Sequence, residues 1–188
     1  MTFYEKYKKI VLTPNFLTLL RIFAVPIIII FLLFDNRITT FFAALFFSIA
    51  SITDFFDGYF ARKYGLVSNL GKMLDPLADK LLISSIFIML VSLDFMPAWV
   101  ACIIIGREIA VTGLRCILVE HGEDVASSML GKYKTGFQIA AAIPLTLHYK
   151  YFGVDFKTIG MVMLYGALVF TVWSGIDYFI KSKKLLGL

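Results

Sequence analysis

The sequence predicts an all-α integral membrane protein, a six-transmembrane-helix bundle with a short N-terminal juxtamembrane segment, forming a single domain over residues 1–188. Three observations carry that expectation. Hydrophobic residues make up 60% of the 188, charged ones only 16%, and the mean hydropathy is +0.85, whereas soluble domains hold about 45–50% apolar and about 25% charged residues. The apolar residues gather into six runs close to the roughly 20 residues that cross about 30 Å of hydrocarbon. Lysine and arginine collect in alternate connections between those runs, as in a multi-pass membrane protein. A secreted disulfide scaffold, a disordered tail and an ordinary soluble enzyme are excluded.

Taken in order, the opening Phe3-Tyr4-Glu5-Lys6-Tyr7-Lys8-Lys9-Ile10 interleaves aromatics with lysines. It reads as a short helix on the membrane surface or, equally, as a solvated start that obeys the positive-inside bias. The first span runs from about Asn15 to Phe34 and ends at Asp35-Asn36-Arg37. Its apolar core exceeds that of a signal peptide and no small-residue cleavage site follows, so it is expected to stay as an anchor. The other spans run from about Ile38 to Phe56, Pro76 to Leu93, Pro97 to Val119, Leu130 to Leu147 and Phe156 to Ile180. With six spans, Lys6, Lys8, Lys9, Arg62, Lys63, Lys72, Lys132, Lys134, Lys181, Lys183 and Lys184 share one side, against Arg37, Lys150 and Lys157 on the other. Both termini are therefore expected in the cytoplasm of a cell with this protein in its inner membrane.

Cys102 and Cys116 lie 14 positions apart in one apolar run, so a helix would hold them about 21 Å apart, beyond disulfide reach. They read as buried, inert thiols. His121 and His148 fall in different polar connections without metal-ligand spacing, which argues against zinc. No repeat or low-complexity linker marks a domain boundary.

Ionisable residues beside a membrane span are costly and mark function by default. They concentrate between Asp54 and Asp79, where four aspartates occur in two pairs. On a helix, Asp54, Asp57, Gly58, Ala61 and Arg62 share one face, and after a loop over Lys63 to Asn69 so do Gly71, Asp75 and Asp79. Pro76 competes with the second alignment, since it suits the first turn of the third span. Four carboxylates at the edge of a low-dielectric region take up protons or recruit cations. Aspartates are hard oxygen ligands, so Mg²⁺ or Mn²⁺, as two ions, is the natural counter-charge, and such a centre suits phosphoryl chemistry. Solvated helix caps and a divalent-cation transporter are the competing readings, and neither accounts for Gly58, Ala61, Arg62 and Gly71 together.

The pattern Asp54-x-x-Asp57-Gly58-x-x-Ala61-Arg62, eight residues, then Gly71-x-x-x-Asp75-x-x-x-Asp79 resembles the signature of the CDP-alcohol phosphatidyltransferase family at all eight specified positions. The resemblance implies transfer of a phosphatidyl group from CDP-diacylglycerol to an alcohol with release of CMP, by a homodimer in the lipid bilayer. It implies Asp54, Asp57, Asp75 and Asp79 as metal ligands, with Asp79 also the catalytic base. Gly58, Ala61, Arg62 and Gly71 would bind the CDP-lipid, with Ser68 in the loop and Asn15 and Thr18 on the first span as further candidates. Capping by Thr13 or Asn15 competes for the last two.

Three further stretches, 14–22, 107–115 and 131–135, resemble the branch of the family that uses a glycerol phosphate, so the similarity covers most of the chain. Arg107 and Arg115, eight apart on one helix face, with Lys132 and Lys134, would cradle the phosphate of sn-glycerol 3-phosphate. Neutralisation of Arg107 by Glu108, and interfacial anchoring by the two lysines, are the competing explanations. Inositol phosphate, serine or phosphatidylglycerol are the alternative acceptors. No role follows for Glu120 or Asp177, and nothing points to nucleic acid.

Overall fold

The structure, a computed structural model, describes residues 14–34, 36–64, 69–120, 129–151 and 153–185. For 14–18, 54–64, 69–76, 120, 129, 130, 132, 184 and 185 it describes the backbone alone. Among the described residues there are six α-helices: α1 (Pro14–Leu33), α2 (Arg37–Tyr64), α3 (Asn69–Ser92), α4 (Ala98–Glu120), α5 (Met129–Leu147) and α6 (Phe156–Leu185). They coincide in number and order with the six expected spans. One of them, over Phe156–Lys183, is long and apolar enough by itself to cross a membrane, and Leu19–Leu33 and Arg37–Thr53 form shorter apolar stretches.

The chain divides into two compact units, Met1–Met89 and Leu90–Leu188. In the first, α1 packs on α2. Pro14 opens α1, the position where a missing amide hydrogen costs nothing. Ala24, Ile28 and Leu32 are buried at helical spacing on α1, as are Ala43, Ala44, Phe47 and Ala50 on α2, while Phe31 stacks on Phe42 and Phe46 at 6.0 and 5.7 Å. Asn36 fixes the start of α2: its Oδ1 accepts from the amides of Ile38 and Thr39 at 3.1 and 3.0 Å, and its own amide donates to Thr39 Oγ1 at 3.3 Å. That reciprocal cap satisfies donors a helix start leaves open. Phe23, Leu33, Phe34, Ile38 and Ile52 remain exposed, an apolar outer surface suited to lipid.

In the second unit α6 packs on both α5 and α4. The α5 contact is close because residue 160 is glycine. A Cβ there would lie 2.6 Å from Leu145 Cγ and 2.9 Å from Leu145 N, nearer than any methyl group can approach. Ala141, Ala142, Leu145, Leu164 and Ala167 fill the core between the two helices. Asp155 precedes α6 and caps it, its Oδ1 accepting from the Lys157 amide and its Oδ2 from Thr158 Oγ1. The Thr158 hydroxyl bond, ahead of those from the Thr158 and Lys157 amides and the nearby Lys150 charge, holds this carboxyl below its usual value.

Several expectations change. α2 continues to Tyr64, past the Phe56 end of its expected span, and α3 begins at Asn69 and runs through Pro76 rather than starting there. Apolarity delimits the part of a helix that lies in hydrocarbon, whereas the helix itself propagates through polar residues. The chain is not purely helical, since Lys150–Tyr151 and Val154–Asp155 pair antiparallel as β1 and β2, with Gly153 turning at φ 78°. Aromatic and β-branched residues around a glycine that accepts positive φ favour that hairpin. Cys102 and Cys116 both lie on α4 but are exposed rather than buried, because they sit on faces that neither α6 nor the core covers.

Candidate active site

Two groups of site residues lie in the described helices, one in each unit. The acidic group is set by helix register. Asp54, Asp57, Gly58, Ala61 and Arg62 fall on α2, and Gly71, Asp75 and Asp79 on α3. At about 100° per residue, each set occupies one face of its helix. The side chains of Asp54, Asp57, Ala61, Arg62 and Asp75, like those of Asn15 and Thr18 on α1, lie outside the described residues, as do the surroundings of Gly58 and Gly71 and the whole of Ser68. Asp79 is half-buried and engaged in a polar interaction. Among the described residues no three His, Cys, Asp or Glu side chains gather at a metal-binding distance. The donor set itself, four carboxylates in two helical pairs, has the hard oxygen chemistry that Mg²⁺ or Mn²⁺ requires. In the same unit Arg21 on α1 is only 2% exposed and has an interaction partner.

The basic group is assembled by packing. Glu108 Oε1 on α4 accepts from Arg107 Nη1 at 3.2 Å and from Lys134 Nζ on α5 at 2.5 Å. The three side chains are 13%, 14% and 9% exposed for Arg107, Glu108 and Lys134. Arg107 and Lys134 thus share one carboxylate in poorly hydrated surroundings, where each charge acts far more strongly than it would in water, and Lys134 has a further interaction besides. Arg107 Nη2 also donates to Ser174 Oγ on α6 at 3.0 Å, and Arg107 Nε is buried without a hydrogen-bond partner.

Arg115, two turns further along α4, is exposed, with Cζ 5.9 Å from the ring centroid of Tyr178 on α6. It makes no ion pair with Glu108, so α4 presents two cationic positions rather than one merged cluster. The Lys132 side chain lies outside the described residues. Lys134 is buried, which removes the interfacial-anchor explanation for it. The Arg107–Glu108 contact is present, and Glu108 serves Lys134 as well. Asp177 pairs with Lys181 at 2.8 Å, an exposed i,i+4 bridge.

Sequence reasoning missed Ser174, Gly175 and Tyr178. Their signal was small and polar residues inside the last apolar run, the composition that marks close helix contacts in membranes.

The family model described as CDP-alcohol phosphatidyltransferase matches residues 11–173. A Bacillus subtilis protein named CDP-diacylglycerol–glycerol-3-phosphate 3-phosphatidyltransferase is 46% identical over 185 residues, covering 92% of this chain and 96% of its own length. A Rickettsia felis protein of the same name is 43% identical, covering 91% and 95%. A third of that name, from Haemophilus influenzae, is 34% identical, covering 92% and 94%.

Proposed function

The chain belongs to the CDP-alcohol phosphatidyltransferase family, and from that premise we propose that it transfers the phosphatidyl group of CDP-diacylglycerol to sn-glycerol 3-phosphate, forming phosphatidylglycerol phosphate and CMP. The observation that carries the reading is identity of 46% over 92% of the chain to a protein named for that reaction. The partly buried Arg107, Glu108 and Lys134 cluster supports it, because an acceptor that already bears a phosphate needs a cationic seat, and serine or inositol does not.

In this reading Asp54, Asp57, Asp75 and Asp79 hold the Mg²⁺ or Mn²⁺ ions. Bound there, divalent metal neutralises the diphosphate and makes its phosphorus more electrophilic. Arg62 pairs with phosphate oxygens of the CDP-lipid, while Gly58, Ala61 and Gly71 leave room for it beside the backbone, with Ser68, Asn15 and Thr18 completing its binding. Arg107, Arg115, Lys132 and Lys134 hold the acceptor's phosphate. Asp79 takes the proton from the acceptor's primary hydroxyl as the new oxygen–phosphorus bond forms. The bond to CMP breaks, and CMP leaves with its electron pair. No activated side-chain nucleophile is needed. The protein acts in the inner membrane as a homodimer of six-span subunits, with termini and active site cytoplasmic, a topology supported by the lysine and arginine distribution.

The test is CMP release by the purified protein in detergent, with CDP-diacylglycerol, Mg²⁺ and one acceptor at a time: sn-glycerol 3-phosphate, inositol phosphate, inositol, serine or phosphatidylglycerol. Release with glycerol phosphate alone, abolished by a chelator, is the expected result. Release with another acceptor alone would keep the aspartate chemistry and discard the acceptor assignment.

A further inference from the structure

We propose that Ser174 and Gly175 on α6 are positioning residues that set acceptor affinity by fixing the guanidinium of Arg107. The inference rests on the reading of Arg107 as a ligand of the acceptor phosphate. Neither residue touches substrate in that reading, and both fall just past the residues 11–173 that the family model spans.

Two independent contacts define the device. Ser174 is 2% exposed, and its hydroxyl donates to the Thr171 carbonyl at 3.1 Å. Its one proton is thereby committed, so its lone pairs face the guanidinium and accept from Arg107 Nη2 at 3.0 Å. Glu108 holds Nη1 of the same guanidinium. A planar group held at both terminal nitrogens keeps one orientation. Gly175 supplies the space for the stem. A Cβ there would stand 3.1 Å from Arg107 Cγ and 3.4 Å from Arg107 Nε, so even alanine makes the Arg107 stem give by a few tenths of an ångström. Because Nε is buried without a partner, no other bond holds that part of the chain in place. The absence of a side chain at 175 and the hydroxyl at 174 therefore act together on one cation.

The experiment measures KM for sn-glycerol 3-phosphate, KM for CDP-diacylglycerol and kcat in Ser174→Ala, Ser174→Thr, Gly175→Ala and Arg107→Lys. Loss of one hydrogen bond to a charged group predicts an increase of about tenfold in KM for the acceptor in Ser174→Ala. Gly175→Ala, through misplacement of the binding group, is expected to raise the same KM about tenfold. In both, kcat and KM for CDP-diacylglycerol should stay within about twofold, and Ser174→Thr, which keeps the hydroxyl, should restore acceptor KM. An unchanged acceptor KM in Ser174→Ala overturns the inference, as does a parallel decline in kcat and both affinities, the mark of a merely structural role. Should Gly175→Ala fail to fold, Ser174→Ala, which adds no atom, decides alone. Arg107→Lys separates the two levels: if it leaves acceptor KM unchanged, the acceptor-site reading itself has failed. If it raises KM while Ser174→Ala does not, only the positioning role has.

Discussion

Between Asp54 and Asp79 the acidic residues are carried by two consecutive helices, and the register of each helix alone puts its carboxylates on one face. The basic cluster is built differently, with Arg107 and Glu108 from α4, Lys134 from α5, and Ser174 with Gly175 from α6. Local spacing can encode a ligand set, since the α-helix repeat does the alignment. A buried cation requires partners from elsewhere in the chain, because an unpaired charge in low dielectric costs several kcal/mol. The acidic segment is thus expected to answer substitution mainly in the chemical step, and the basic cluster in stability and acceptor binding together.

The sharpest break in that contrast is Asp79→Asn. It removes the proposed base with almost no change in shape, and kcat for CMP release should fall about a thousandfold. Elution from size exclusion in detergent should match the parent protein. A loss under about tenfold would take Asp79 out of proton transfer.

Glu108→Gln should behave in the opposite way. It leaves Arg107 and Lys134, both mostly buried, without their shared carboxylate, and a loss of about 3 kcal/mol is expected. Denaturant titration in detergent would read it, and an unchanged midpoint would mean the cluster is as solvated as a surface bridge.

Gly160→Ala probes packing without charge. The new methyl would meet the Leu145 side chain and backbone, with an expected cost of about 1–3 kcal/mol. The thermal midpoint should fall while CMP release per folded molecule is kept, and lost activity at full folding would tie this helix contact to the chemistry instead.

Lys181→Ala completes the series as the smallest effect. Lys181 is 54% exposed in its bridge to Asp177, so about 0.5 kcal/mol or less is expected from the same denaturation assay. A larger shift would show that exposed charge on α6 counts for more than its solvation allows.

Much of this was legible in the linear chain, and what was not had a physical cause. The six helices stood out as apolar runs, but the ends of α2 and α3 did not. The residues from Asp57 to Lys63 and from Asn69 to Asp75 are too polar to extend a hydrophobic count, yet they continue the helices. The β1–β2 hairpin is two residues per strand, too short for alternation to register. Cys102 and Cys116 were misplaced because an apolar run reads alike on its packed and its outward faces.

By itself the sequence determined the class, an apolar helical chain of the family that its aspartate motif resembled, and the order of the six helices among the described residues. It did so because hydropathy and helical period are properties of neighbouring residues. Only the tertiary structure decided that Glu108 bridges two cations, that Lys134 is buried, and that Ser174 and Gly175 meet Arg107. Ser174 stands 67 positions from Arg107, and no local spacing records which faces of α4, α5 and α6 meet. That choice follows from the fit of side-chain volumes and from the cost of leaving a desolvated charge without partners.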